Sequence, residues 1–309
     1  MAPIFSSVSS GGGGRARGFG YGSAGAASRD PKFFRNFTSN IDPNTAVSTD
    51  GTPAGGAWVA GDVVTASYSG TTRSINYASY VGNVRVHVIG GGGGTQGDRG
   101  GWCSNSGGGG GGGAYRNISN PSNDSFYVGN GGARHPSSGG QSGRAPNGQN
   151  TWYSNSSWLR GEGGQGSTWC EDTPIGSGGS WVGATGSPGG DGGKATYGGQ
   201  GNSRAGISSS WGGGGGGGSD DNPPGPQQPG GRCHTSWNHP DGNRYAGAGA
   251  GGSAPGNMQD VVVNAQGLNG SIPTPHSGGG GGGVANTNGP GGDIFGTAGA
   301  SGQVIWVFS

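Results

Sequence analysis

The side chains with the most reactive chemistry form one short group, Cys233, His234, His239 and Asp241. Thiolate, imidazole and carboxylate groups together are ligands that zinc accepts. Their spacing matches none of the established zinc patterns, in which pairs of Cys or His are separated by fixed short intervals. The sequence therefore predicts neither a metal site nor a cofactor.

The carboxylates are equally unsuited to a reactive site. Asp220 and Asp221 precede a turn but lack the Asp-x-Asp-x-Asp-Gly loop of a calcium site. Glu162, Glu171 and Asp172 are too few and too undirected to form a general acid and base pair. We therefore predict that the chain is not an enzyme.

Phosphate and nucleic-acid binding are the next candidates, because glycine-rich loops can bind phosphate and Gly90 to Gly94 follow a strand pattern. A phosphate loop should open a helix, with a lysine after the glycines in the P-loop case, and here more loop follows. Arg17 and Arg99 each precede a glycine, as in RNA-binding segments. However, only 10% of residues are charged and the net charge is +1, so the basic surface of a nucleic-acid binder is missing.

Glycine supplies 83 of the 309 residues. It loses the most conformational entropy on folding, so the packed state must offset that cost. A chain without side chains can adopt the extended threefold helix of the polyproline II type, whose outward backbone groups can bond to neighbouring helices. A bundle of packed polyglycine II helices is therefore predicted from the four glycine runs, Gly90 to Gly94, Gly107 to Gly113, Gly212 to Gly218 and Gly278 to Gly283.

Spaced glycines support the same prediction, since a helix at the edge of the bundle needs glycine only where it touches a neighbour. From Val182 to Ser203 glycine recurs at nearly every third residue. Collagen would need that period throughout, with abundant proline, and the 18 prolines are irregularly spaced. The glycines predicted to make the close contacts include Gly90, Gly110, Gly183, Gly186, Gly189, Gly215 and Gly280.

Strand patterns flank the glycine-rich part. Asn83 to Ile89 alternates apolar and polar residues, and Gln303 to Phe308 is apolar on both faces, which predicts a central, buried strand. Weaker strand patterns lie at 57–65, 72–79, 125–128 and 260–263.

The predicted fold class is mostly irregular plus β, a small β-sheet base with a bundle of packed polyglycine II helices. Residues 1–45 form an extended N-terminal arm or, alternatively, a disordered tail. Residues 46–89 form the β-rich base, which the strand at 303–308 completes. Residues 90–302 form the bundle, with aromatic and polar loops at its ends.

Those loops combine large aromatic residues with Ser, Asn and acids at 152–158, 167–172 and 232–239. Rigid rings with short polar groups are typical of binding loops, and sugar rings suit such sites. The alternative is that the rings cover the bundle ends and shield backbone from water. The candidate receptor-binding residues are Trp152, Tyr153, Trp158, Trp169, Trp237 and His239.

Three cysteines, Cys103, Cys170 and Cys233, give no complete disulfide framework, and one bridge or buried free thiols both stay open. No apolar stretch reaches the 18 residues that a membrane span needs, so we expect no membrane insertion. The first ten residues lack the basic and apolar regions of a secretory signal. A protein made in the cytoplasm can still act outside cells after lysis.

The segments Val84 to Gly94, Gly107 to Tyr115 and Gly302 to Phe308 resemble the glycine-rich domain of bacteriophage tail-fibre and other virion proteins. Glycine runs joined by variable aromatic loops are also similar to the polyglycine II sandwich of the receptor-binding adhesins of T-even-type phages. The resemblance covers roughly residues 80 to 309. It implies a virion protein, released by lysis, whose loops bind a bacterial surface glycan or outer-membrane protein.

The same resemblance implies other virion proteins as partners and allows a homo-oligomer, because trimers are common among phage fibres. A second interpretation is a non-adhesive structural protein, such as a capsid or tail decoration, a rigid spacer or a self-assembled fibre. Ice binding is a weaker third, because it requires regular short side chains on one flat face.

Overall fold

The computed structural model describes residues 29–35, 39–67, 70–95, 98–99, 108–134, 144–167, 176–192, 279–281, 293–294 and 297–309. The chain divides into two compact units, residues 1–30 and residues 31–309. Arg29 and Asp30 are the only described residues of the first unit. All strands of the described residues belong to the second unit.

The described part of the chain is built from β-strands in two main sheets. One sheet has six strands in the order β1-β2-β13-β4-β6-β11, and the other has five in the order β10-β9-β8-β7-β3. Strands β5 and β12 form a separate pair. The strands are β1 (Phe33–Phe34), β2 (Val63–Ala66), β3 (Thr72–Ile75), β4 (Asn83–Ile89), β5 (Asp98–Arg99), β6 (Gly113–Ser119), β7 (Asp124–Tyr127), β8 (Thr151–Tyr153), β9 (Leu159–Gly161), β10 (Trp181–Val182), β11 (Thr185–Ser187), β12 (Asp293–Ile294) and β13 (Gln303–Phe308).

The six-stranded sheet is organised around β13, which lies antiparallel between β2 and β4. Both of its faces are buried: Trp306 joins the core between the sheets, and Ile305 joins a smaller cluster with Val63 and Ile89. The predicted strand at 83–89 and the predicted central strand at 303–308 are therefore confirmed.

The weaker strand patterns are displaced rather than absent. The 57–65 pattern yields only β2, and the 125–128 pattern yields β7, one residue earlier. The 72–79 pattern ends at Ile75, because Ala78 and Ser79 take left-handed backbone conformations with φ of 48° and 58°. The pattern at 260–263 lies outside the described residues.

The five-stranded sheet packs on the six-stranded one through alternate side chains. Phe126, Tyr153 and Leu159 point inward and meet the inner valines of β4 and Trp306 of β13. Trp306 makes edge-to-face contacts with Phe126 at 5.0 Å and with Tyr153 at 6.2 Å between ring centroids. Burial of these rings is the main apolar contribution that holds the two sheets together.

Glycine segments extend beyond one end of both sheets. Residues 90–95 continue β4, and residues 108–112 run back into β6. The amides of residues 90–95 all donate to backbone carbonyls: Gly90 to Gly112, Gly91 to Gln149, Gly92 to Ala300, Gly93 to Gly109, Gly94 to Pro146 and Thr95 to Thr297. Consecutive amides thus bond in turn to three neighbouring segments.

These contacts leave no room for side chains. A Cβ added at any of Gly90 to Gly94 would lie 1.9 to 2.2 Å from a carbonyl oxygen of another segment. Where a glycine segment lies at the edge of the packed segments, side chains accept hydrogen bonds from the amides that point outward. Asn150 accepts from the amide of Gly163, and Asn147 accepts from the amide of Gly166. The backbone polar groups are in this way satisfied without a β-ladder.

The predicted fold class is wrong. The described residues form a β-protein, with eleven strands in its two main sheets, and neither a helix nor a bundle of polyglycine II helices is present among them. Strands β6 to β11 lie within 90–302, the interval that was predicted to form the bundle. Sheet formation prevails there because residues such as Phe126 and Leu159 bury apolar surface against the other sheet, which glycine cannot do.

Candidate functional site

The outer face of the five-stranded sheet carries a row of side chains in register. Tyr127 of β7 pairs with Trp152 of β8, and Trp152 pairs with Arg160 of β9. Thr72 of β3 and Val182 of β10 continue the row at its two ends. In an antiparallel sheet with one buried face, such residues all point away from the core. We call Tyr127, Trp152 and Arg160 the outer row.

The two rings of the outer row lie against each other. Their centroids are 6.0 Å apart and their planes differ by 12°. The Tyr127 hydroxyl donates to Oε1 of Gln149, with 2.8 Å between the oxygens. Both rings are half-buried, so each keeps some surface in contact with solvent.

Arg160 is held by two contacts on its own strand and turn. Its Nη1 donates to the carbonyl of Ser156 at 3.0 Å, and its Nη2 forms an ion pair with Glu162. The carboxylate therefore balances the charge of the guanidinium. The outer row thus offers aromatic surface and hydrogen-bonding groups but little net charge.

Tyr153 lies on the opposite face of the same strand and is only 1% exposed. Its hydroxyl and that of Tyr77 share a hydrogen bond of 2.9 Å inside the core. Burial raises the pKa of Tyr153 and the pKa of Tyr77 well above their usual value, so both hydroxyls stay protonated. Tyr153 is a core residue in this structure and presents no binding surface.

Trp158 ends the tight turn between β8 and β9 and packs on the core. Its ring lies 5.9 Å from that of Tyr153, and the Arg116 guanidinium sits 4.9 Å from its centroid. Nε of Arg116 also donates to the Trp158 carbonyl at 2.9 Å. The predicted loop 152–158 is thus the end of a β-hairpin, and only Trp152 of its large rings belongs to the outer row.

The predicted structural glycines fall into two groups. Gly90, Gly189 and Gly280 touch other glycine segments, where an added Cβ would lie 1.9 to 2.1 Å from a carbonyl oxygen. A Cβ at Gly183 would instead meet the side chains of Ala114 and Leu159, and one at Gly186 would lie 2.5 Å from the Gly113 carbonyl oxygen and 2.6 Å from the Trp181 ring. Gly110 donates its amide to Gly190 and accepts from Gly179. Gly215 lies outside the described residues.

The glycine segments define a second region, the loop end. Segments 129–134 and 161–167 run outward from the five-stranded sheet, and segment 144–150 returns to it. Segment 188–192 runs outward from β11, and 297–302 returns to β13. The described segments that precede five intervals, namely 96–107, 135–143, 168–175, 193–278 and 282–296, therefore all end on this side of the sheets. Gly279, which follows the fourth interval, lies nearer the sheets, where its carbonyl accepts from the amide of Ala300.

Two of those intervals are joined by the β5–β12 pair, in which Asp98 faces Ile294 and Arg99 faces Asp293. Thr95 and Thr297, at the outer ends of two glycine segments, are both buried. The Thr95 hydroxyl accepts a hydrogen bond from the Thr297 amide at 2.6 Å. The predicted binding residues Trp169, Trp237 and His239 all belong to the five intervals and lie outside the described residues.

Among the residues that the structure describes, no three His, Cys, Asp or Glu side chains are grouped as a metal would require. The same residues include no helix with the length and apolar character of a membrane span.

Sequence reasoning did not find Tyr127, Arg160 or their alignment with Trp152. Each belongs to a short strand, and only the pairing register brings the three side chains onto one face. The one signal in the sequence is that Trp152 and Tyr153 are neighbours. In a strand their side chains point to opposite faces, so one of the two rings must face away from the core.

Comparison with known families assigns most of the chain. Residues 65–309 match the family model of the glycine-rich domain. A comparison with curated proteins finds no match. The match begins within β2 and runs through both sheets and the glycine segments to the last strand. The chain therefore belongs to the glycine-rich domain family.

Proposed function

We propose that the chain is a virion structural protein, a tail-fibre or adhesin-type receptor-binding protein that recognises a bacterial surface glycan or outer-membrane protein. The observation that supports this proposal is the loop end, where the described segments that precede five intervals of the chain end side by side. These intervals contain Trp169, Trp237 and His239 among Ser, Thr and Asn residues. Loops carried on a rigid scaffold are the usual position of binding residues.

The scaffold suits such a role because backbone hydrogen bonds join its glycine segments to one another. Gly91 bonds to Gln149 and Gly164, and Gly93 bonds to Gly109 and Gly281. A scaffold of this kind loses little entropy when its loops bind, which favours affinity. The low net charge favours recognition by ring contacts and hydrogen bonds over recognition by charge.

Under this proposal the protein is part of the virion, is made in the host cytoplasm and is released by lysis. Its other partners are further virion proteins, and a homo-oligomer is compatible with the role. It needs no cofactor and carries out no reaction.

Binding of fluorescently labelled full-length protein to a panel of bacterial and cyanobacterial strains tests the proposal. We expect saturable, strain-selective binding. Trp237→Ala and Trp169→Ala should each weaken it about 30-fold, which corresponds to the roughly 2 kcal/mol lost when a hot-spot aromatic is truncated. Val81→Ala is the matched control, since Val81 is 83% exposed in the turn at the opposite end of the sheets.

Added surface polysaccharide separates the two receptor classes, because it should compete only if the receptor is a glycan. The non-adhesive structural alternative makes the opposite prediction. If no strain binds the protein, while the protein docks onto virions or assembles with itself, the adhesin proposal is wrong.

A further inference from the structure

Two aromatic side chains of the described part stand apart from all the others. Its remaining Trp, Tyr and Phe residues belong to one of the two hydrophobic clusters or pack against them. Tyr127 and Trp152 do neither and contact each other on the outer face of the five-stranded sheet. A solvent-facing side of an antiparallel sheet is normally polar, so these rings form an apolar surface outside the core that joins the two sheets.

The outer row has the dimensions of a small ligand. Tyr127, Trp152 and Arg160 occupy three adjacent strands in register. Neighbouring strands lie about 4.8 Å apart, so the row spans roughly 10 Å. This length corresponds to one or two sugar rings.

The chemistry of the row fits a saccharide without charge. A sugar ring has apolar C–H faces, which contact aromatic rings, and a rim of hydroxyls, which need donors and acceptors. Arg160 lies opposite Trp152 in the pairing register and is ion-paired with Glu162, and Gln149 accepts a hydrogen bond from the Tyr127 hydroxyl. Because Arg160 and Glu162 are paired, no excess positive charge is left to favour an acidic sugar.

We propose that the outer row is a binding site for a neutral saccharide, distinct from the loop end. The rings of Tyr127 and Trp152 contact the C–H faces of the sugar. Its hydroxyls form hydrogen bonds with Arg160, Glu162 and Gln149. The proposal rests on the proposed function only for the biological source of the sugar, a bacterial surface. The binding itself is independent of that role.

The test titrates the full-length protein with uncharged tetrasaccharides of glucose, mannose, galactose and rhamnose, and with tetragalacturonate as the acidic counterpart. Binding is followed through indole N–H signals, with the Trp152 signal identified in Trp152→Phe. We expect at least one neutral tetrasaccharide to shift the Trp152 signal. Trp152→Ala and Tyr127→Ala should each weaken that binding tenfold or more, and Trp152→Phe should recover part of it.

The matched control is Trp158→Phe, which changes the same residue type on the same hairpin but on the core side, and which should bind the saccharide normally. Three results would overturn the proposal: no neutral tetrasaccharide binds, tetragalacturonate binds as well or better, or Trp152→Ala binds unchanged. A dimer of the wild-type protein that Trp152→Ala abolishes, with no effect of sugar, would instead identify the row as a self-association surface.

The two proposals fail separately. Loss of cell binding in Trp237→Ala with normal saccharide binding supports both. Saccharide binding without adsorption to any strain leaves the outer row intact and contradicts only the adhesin role.

Discussion

Replacement of Gly92 by alanine is expected to destabilise the fold severely, although it adds a single methyl group. The new Cβ would lie 1.9 Å from the carbonyl oxygen of Gly279. The backbone of Gly92 also bonds to Ala300 and Gly132, so it cannot move away from one neighbour without losing another. We expect a loss of more than about 4 kcal/mol in the free energy of unfolding, in the range seen only for severe steric changes. Thermal and denaturant unfolding of the purified variant measure it.

Gly55→Ala is the control for this substitution. Gly55 has a φ of +72°, and a Cβ there meets nothing within 4 Å. Its replacement should therefore cost only the roughly 1–2 kcal/mol of a left-handed alanine. If Gly92→Ala were no less stable than Gly55→Ala, the glycine segments could not be in direct backbone contact.

Truncation of Trp306 is the second large effect that we expect. Its side chain is fully buried in the central strand and contacts Phe126 and Tyr153 of the other sheet. Trp306→Ala removes those contacts and leaves a cavity between the sheets, which typically costs 3–5 kcal/mol. Denaturant unfolding, followed by circular dichroism, should show this loss as a lower midpoint.

Trp152→Ala provides the same chemical change on the outer face. It removes one aromatic contact and no core packing, so we expect a loss of no more than about 1.5 kcal/mol. Equal losses for the two variants would contradict the assignment of Trp306 to the core and of Trp152 to the surface.

The sheets were predictable where side chains alternate, and the fold class was not. Asn83–Ile89 and Gln303–Phe308 carry enough apolar residues to fix both their conformation and their burial. A glycine run has no side chain that could reveal which conformation it takes, and the sequence predicts polyglycine II helices there from composition alone. Strands of two or three residues, such as β9 and β10, are too short for a period to be visible in the sequence.

The candidate site was predictable in composition but not in arrangement. Trp152, Tyr153 and Trp158 are close in sequence, yet one lies in the outer row, one is buried and one closes a hairpin. Tyr127 and Arg160 join Trp152 only through strand register, which depends on long-range pairing. Local sequence does not encode that pairing in strands this short.

Hydrogen exchange of the glycine amides tests most directly whether the glycine segments are a rigid scaffold. The amides of residues 90–95 all donate to backbone carbonyls at 2.8 to 3.1 Å. They should exchange as slowly as those of the adjoining strand Asn83–Ile89, with opening free energies close to that of global unfolding. Exchange of these amides within seconds, while the strand stays protected, would show that the segments open freely and would contradict the account.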